Sequence, residues 1–194
     1  MKTDAVEFLQ LQSDMRQLQG RLERLERELQ ELSAQWPEHR AAIVIFSGDL
    51  DKVLAGFIIA TGAAAAGLAT TMFFTFWGLC VLKKPRALQG SEKDIKEKIL
   101  ALVTPAGSTS LGVSRMNFMG IGAKILRSVL RDKGIASLEE LMETARDLGV
   151  KFIACEMSME AMGLTKEDLI DGLEYGVVGT YMADASRSKV TLFI

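Results

Sequence analysis

Two thiols are the residues best suited to chemistry in this 194-residue chain, Cys155 and Cys80. Cys155 follows a short apolar run, residues 150–154, that predicts a buried strand, and a Met- and Ser-containing segment comes next. A thiol at that address sits where a strand hands over to the first turn of a helix. In open α/β sheets, ligands and chemistry gather at the carboxyl ends of strands. The thiolate is the reactive form, and a helix N-terminus favours it, whereas the adjacent anion Glu156 opposes it. The other reading of Cys155 is a buried structural cysteine, since free cysteines are among the most buried residue types. Cys80 lies in Trp77-Gly-Leu-Cys80-Val-Leu82 and is the weaker candidate, as a second relay thiol or a resolving partner. Direct pairing with Cys155 requires Cα atoms within about 7 Å.

Other chemistries find less support. The single histidine, His39, falls in an expected linker, so a Cys–His nucleophile pair requires it to fold back on the domain. No C-x-x-C occurs, which leaves no zinc-site or thioredoxin-type spacing, and no metal or cofactor is expected. Gly120-Ile-Gly122 does not complete a dinucleotide fingerprint after a strand. A net charge of −2, without a basic stripe carrying interleaved aromatics, gives no reason to expect nucleic-acid binding. Lys83, Lys84 and Arg86 form a small basic group, read either as a solvated face or as an attractor for an acidic partner. Met116, Met119, Met157, Met159 and Met162 gather around the thiol and a long loop, as core filling or as an adaptable contact surface. The polar amino-terminal residues lack a signal-peptide core, which favours a reducing cytoplasm and free thiols.

The elements that must position these residues follow from periodicity. Leu11, Met15, Leu18, Leu22, Leu25, Leu29, Leu32 and Trp36 are spaced 4-3-4-3-4-3-4, an apolar seam with a period of 3.5 residues. This predicts a coiled-coil helix over 1–36, which favours homo-oligomers. Pro37 ends it, and 37–40 is the expected linker to a domain spanning 41–194. Ala41-Ala-Ile-Val-Ile-Phe46 is a continuous apolar run, as expected for a strand buried on both faces. Residues 53–82 carry no charge, which on length alone permits a transmembrane helix. An Ala/Gly-rich helix, a stop at Gly67 and a β-branched, aromatic strand over 70–76 describe the same run better. Helices are expected after Ser91, over 119–132 and after the capping box at Ser137 and Glu140, with a long loop over 104–117. The last strands are expected over 176–181 and 190–194. Strands alternating with helices imply a parallel sheet, and five of them suggest the flavodoxin-like order 2-1-3-4-5. The turn Ser47-Gly48-Asp49, the Cys80 loop and Cys155 then share one edge of the sheet.

Four blocks, in order, carry a resemblance. Ile45-Phe-Ser-Gly-Asp-Leu-Asp-Lys52, Met72-Phe-Phe-Thr-Phe-Trp-Gly-Leu79, Ala154-Cys-Glu-Met-Ser-Met159 and Val190-Thr-Leu-Phe-Ile194 resemble the DsrE/DsrF-like sulfur-relay family, in its peroxiredoxin-like branch, over about residues 41–194. The resemblance implies a flavodoxin-like α/β fold and oligomers. It implies a cysteine, matching Cys155, that carries sulfane sulfur as a persulfide and exchanges it with TusA-like carriers and rhodanese-type donors. No Thr-x-x-Cys peroxidatic motif is present. Two alternatives remain at this point: a non-catalytic scaffold gathered by the coiled coil, and a membrane-associated protein inserted through 53–82.

Overall fold

The computed structural model describes residues 2–35, 37–84, 105–114 and 121–194. The chain divides into two compact units, Met1–Pro37 and Glu38–Ile194. The first is a single helix, α1, Lys2–Gln35. Its side chains from Asp14 to Glu31 are exposed, including the seam residues Met15 to Leu29.

The second unit is a five-stranded sheet with helices on both faces. Its strands are β1 (Glu38–Ile45), β2 (Ala69–Phe74), β3 (Lys151–Cys155), β4 (Glu174–Gly176) and β5 (Ser188–Phe193). Its helices are α2 (Leu50–Ala65), α3 (Ile121–Asp132), α4 (Leu138–Asp147), α5 (Glu156–Ala161) and α6 (Val178–Ala185). Every strand pair is parallel. β1 takes in residues 38–40, ahead of the expected start at Ala41.

The strand order is β4-β3-β2-β1-β5, which corrects the flavodoxin-like order. β3 neighbours β2, not β1, with Phe74 paired to Ala154. Crossover handedness accounts for the layering. Parallel crossovers are right-handed, so β1 to β4, advancing in one direction, carry their helices on one face. The return from β4 to β5, on the far side of β1, places α6 on the opposite face.

The two faces are unequal. On the first, α2 and α4 cover Ile43, Ile45, Met72, Phe74, Phe152 and Ala154 in one large core. Phe57 of α2 lies 5.5 Å from Phe152 and 6.1 Å from Phe74, ring centre to ring centre. The small residues of α2 permit this approach: a Cβ on Gly56 would lie 2.6 Å from Ile45 Cδ1. On the second face, Val44, Phe73, Ile153 and Cys155 form a small cluster under Tyr181 of α6.

The uncharged run 53–82 is divided as expected. Gly67, at φ +82°, stops α2, β2 follows, and a 3-10 helix, Phe76–Leu82, completes the run. Among the described residues no helix is long and apolar enough to cross a membrane. The capping box of Ser137 and Glu140 forms at the start of α4. The strand expected over 176–181 is instead the end of β4 followed by α6. β3 ends at Cys155, opposite Gly176, so the chain beyond has no strand to pair with and coils back over the sheet. Tertiary context overrides the β-propensity of Val177 and Val178. The helix expected after Ser91, and Arg86, Met116 and Met119, lie outside the described residues.

Candidate functional site

All five strands run the same way, so their carboxyl ends share one edge. There β1 leads into the turn at Ser47, β2 into the 3-10 helix Phe76–Leu82, and β3 into α5. Three expected features therefore meet at that edge: the Ser47–Asp49 turn, the Cys80 segment and Cys155.

Cys155 is the last residue of β3 and the residue that caps α5, with extended backbone (φ −73°, ψ 110°) and no capping bond from its side chain. Alternation along β3 turns it to the second face with Ile153. It is 0% exposed, packed with Val44, Phe73 and Ile153 beneath Tyr181. The Tyr181 ring packs tilted against Phe73 with ring centres 5.5 Å apart, and burial pushes its hydroxyl up from the usual phenol range. Tyr181 of α6, a helix with no buried residue of its own, thus packs against the cluster that contains the thiol.

α6 is tied down near its carboxyl end. Asp184 accepts hydrogen bonds from Thr71 Oγ1 of β2 at 3.0 Å and Arg40 of β1 at 3.4 Å. At its amino end, Val177 and Val178 are exposed, and no side chain caps the first turn.

Glu156, whose charge opposes a thiolate next door, is half exposed, and Lys166 Nζ lies 4.0 Å from its carboxylate. Ser158 is buried, and its hydroxyl lies 2.7 Å from that of Thr75, joining α5 to the end of β2. Of the methionines expected near the thiol, Met159 and Met162 fill the large core and Met157 is exposed.

Cys80 is also free and buried, but it packs in the large core on the first face. Cys155 thus ends β3, Cys80 follows the neighbouring β2, and the two belong to different packed clusters. Burial pushes the Cys80 thiol up, an effect that the charge of Lys83 offsets in part. Lys83 is itself buried and so is not part of a solvated face, and the part-exposed Lys84 pairs with Asp171 at 3.0 Å. His39 lies near the amino end of β1, its ring nitrogen 3.0 Å from Lys189 Nζ, at the opposite edge of the sheet from Cys155.

The carboxyl edge also carries an aromatic shelf that the sequence reading did not single out. Phe46 lies 5.8 Å from Phe76 and 5.7 Å from Phe193, ring centre to ring centre, and all three are exposed, as is Trp77. Phe76 holds φ +45°, a conformation that non-glycine residues seldom adopt. The fold enforces it. Gly78 N–H donates to Phe46 O at 2.9 Å, and a Cβ on Gly78 would lie 2.0 Å from Ile45 O. A signal was available in the sequence: Phe46 ends an apolar run directly before the turn Ser47-Gly48-Asp49.

Among the described residues no group of acidic, histidine or cysteine side chains is arranged to hold a metal. The arrangement offers one buried thiol at a strand end, in a cluster against which α6 packs, on the sheet edge that also carries exposed aromatics.

Comparison with known proteins bears on this arrangement. The chain is 41% identical over 155 residues to the uncharacterized protein YrkE of Bacillus subtilis (strain 168), covering 80% of this chain and 96% of that protein. It is 31% identical over 157 residues to the sulfur carrier protein DsrE2 of Allochromatium vinosum, covering 81% of this chain and 99% of that protein. A family model matches residues 37–193, the whole of the sheet unit up to its last residue but one, and the chain accordingly belongs to the DsrE/DsrF/DrsH-like family.

Proposed function

We propose that this protein is a sulfur-relay protein that carries sulfane sulfur as a persulfide on Cys155. The observation that carries the reading is a thiol at the carboxyl end of β3, next to the helix start, in a chain 31% identical to a named sulfur carrier. The exchange needs no external oxidant or reductant. The Cys155 thiolate attacks the outer sulfur of a donor persulfide, the new S–S bond forms as the donor's S–S bond breaks, and the donor leaves as a thiolate. An acceptor thiolate then attacks the outer sulfur on Cys155 and restores the free thiol, by the logic of thiol–disulfide exchange.

In this reading the donor is a rhodanese-type protein and the acceptor a small TusA-like carrier. The chain works as a homo-oligomer in the reducing cytoplasm, where both cysteines stay as free thiols. The exposed Phe46, Phe76 and Phe193 at the same edge support docking of a protein rather than of a small solute. Cys80 takes no part in the transfer, which its place in the core on the other face supports.

The test is intact-mass measurement after incubation with a persulfide donor. Wild type and Cys80→Ala gain one sulfur atom, and Cys155→Ala gains none. Sulfur uptake by Cys155→Ala equal to wild type would overturn the assignment.

A further inference from the structure

Nothing in the sulfur chemistry explains α1. Its side chains from Asp14 to Glu31 are exposed, and Met15, Leu18, Leu22, Leu25 and Leu29 make a single stripe, each 56–70% exposed. Spacing of 3-4-3-4 is the mark of a coiled-coil seam, with Met15, Leu22 and Leu29 at one core position and Leu18 and Leu25 at the other. A seam that narrow suits a single partner helix better than the broad face of a globular core.

We propose that a second copy of this chain covers the seam, with Arg21 setting the register. The argument is charge complementarity of the helix with itself. The residues flanking the seam are Asp14, Gln19, Arg21, Glu26 and Glu28. In a parallel pair in register, Arg21 of each copy meets Glu26 of the other, Asp14 meets Gln19, and no like charges meet. A slip by one heptad loses both attractions, sets Asp14 against Glu26 and sets Glu28 against Glu26. In an antiparallel pair with Leu22 facing Leu25, Arg21 of each copy meets Glu28 of the other. One heptad away, Arg21 faces Arg21 and Asp14 faces Glu28. In either direction one register gives Arg21 an acidic partner in the second copy and its neighbours are repulsive. That is the pattern of an isologous contact, in which one surface is complementary to itself. It rests on α1 alone and stands or falls separately from the persulfide on Cys155.

The experiment is sedimentation of the full-length chain at micromolar concentration. Wild type is expected to be a larger multiple of the chain than Leu22→Lys/Leu25→Lys, whose seam is broken. Arg21→Glu is expected to weaken association by about tenfold at low salt, since two attractions become two repulsions. A second exchange then restores association in Arg21→Glu: Glu26→Arg if the helices are parallel, Glu28→Arg if antiparallel. Equal mass for wild type and the seam variant overturns the proposal. So does a wild-type monomer whose α1 binds only some other protein. Failure of both second exchanges to restore Arg21→Glu removes the role of that residue and with it the proposed register.

Discussion

Cys155 is buried, yet a sulfur carrier must meet a partner's sulfur. A residue placed to affect this is Tyr181, which packs against the small cluster that contains the thiol. Its ring pairs with Phe73, and such pairs contribute about 0.5–1.5 kcal/mol beyond burial. Removing that contribution from the closed state raises the open fraction roughly two- to tenfold, at 1.4 kcal/mol per factor of ten. Tyr181→Ala, on a Cys80→Ala background, is therefore expected to react with an aromatic disulfide reagent two- to tenfold faster than the Cys80→Ala parent. An unchanged rate would mean that the thiol is uncovered by some other route. Cys80 needs no such cover. Burial holds its proton above the ordinary thiol range, so on a Cys155→Ala background it stays unreactive near neutral pH until the protein unfolds. Sequence alone located Cys155, through the apolar run that ends at it. It did not locate Tyr181, 26 residues on, because the pattern around it reads as strand, whereas that stretch is helical and packs against the cluster that holds the thiol.

The elements around the thiol differ in how far local sequence specifies them. β1 was legible because a continuous apolar run ended at turn residues, β2 because its residues are β-branched and aromatic, and α2 because Gly67 supplies the positive φ that stops it. α4 was legible from its capping box. The strand order and the split between β4 and α6 were not legible, because both depend on which strands pair, and three-residue β4 has too little pattern to announce itself. The close approach of the turns after β1 and β2 was equally silent: only coordinates show that Gly78 sits against Ile45 O. That contact gives a paired prediction. Gly78→Ala puts a methyl group 2.0 Å from a backbone oxygen, so one turn must move. Its cost is expected at the top of the overpacking range, about 3 kcal/mol of unfolding free energy. Gly62→Ala lies within α2 with nothing within 4 Å of the added methyl group. It is expected to stabilise by about 0.5–1 kcal/mol, the difference between alanine and glycine in a helix interior. Urea unfolding of both variants checks the pair; equal effects would contradict the close packing of the two turns.

The chain divides into a helix and a sheet unit, and among the described residues the packed interior belongs to the second. Among the described residues, the buried apolar ones begin at Ala41, and both clusters draw on residues from Ile43 onward. The described part of α1 from Asp14 to Glu31 contributes no buried side chain. Separating the units at Pro37 is therefore expected to leave the sheet unit intact, since stability follows apolar burial and the buried apolar residues described lie within that unit. A chain of residues 38–194 should keep the near-ultraviolet circular dichroism of the full-length sheet unit. Its unfolding free energy should lie within about 1 kcal/mol of the full-length value, the range expected when no named destabilising mechanism applies. It should also take up one sulfur on Cys155. The helix has the opposite dependence. A single helix with an exposed seam has little besides its own hydrogen bonds to hold it, and isolated helices are marginal in water. The helicity of a 2–37 peptide should rise with its concentration if association of the seam sustains it, and this is read by far-ultraviolet circular dichroism across a dilution series. A sheet unit that fails to fold without α1 would show that the helix contributes to the interior, and the division of the chain into a carrier and a separate assembling element would be wrong.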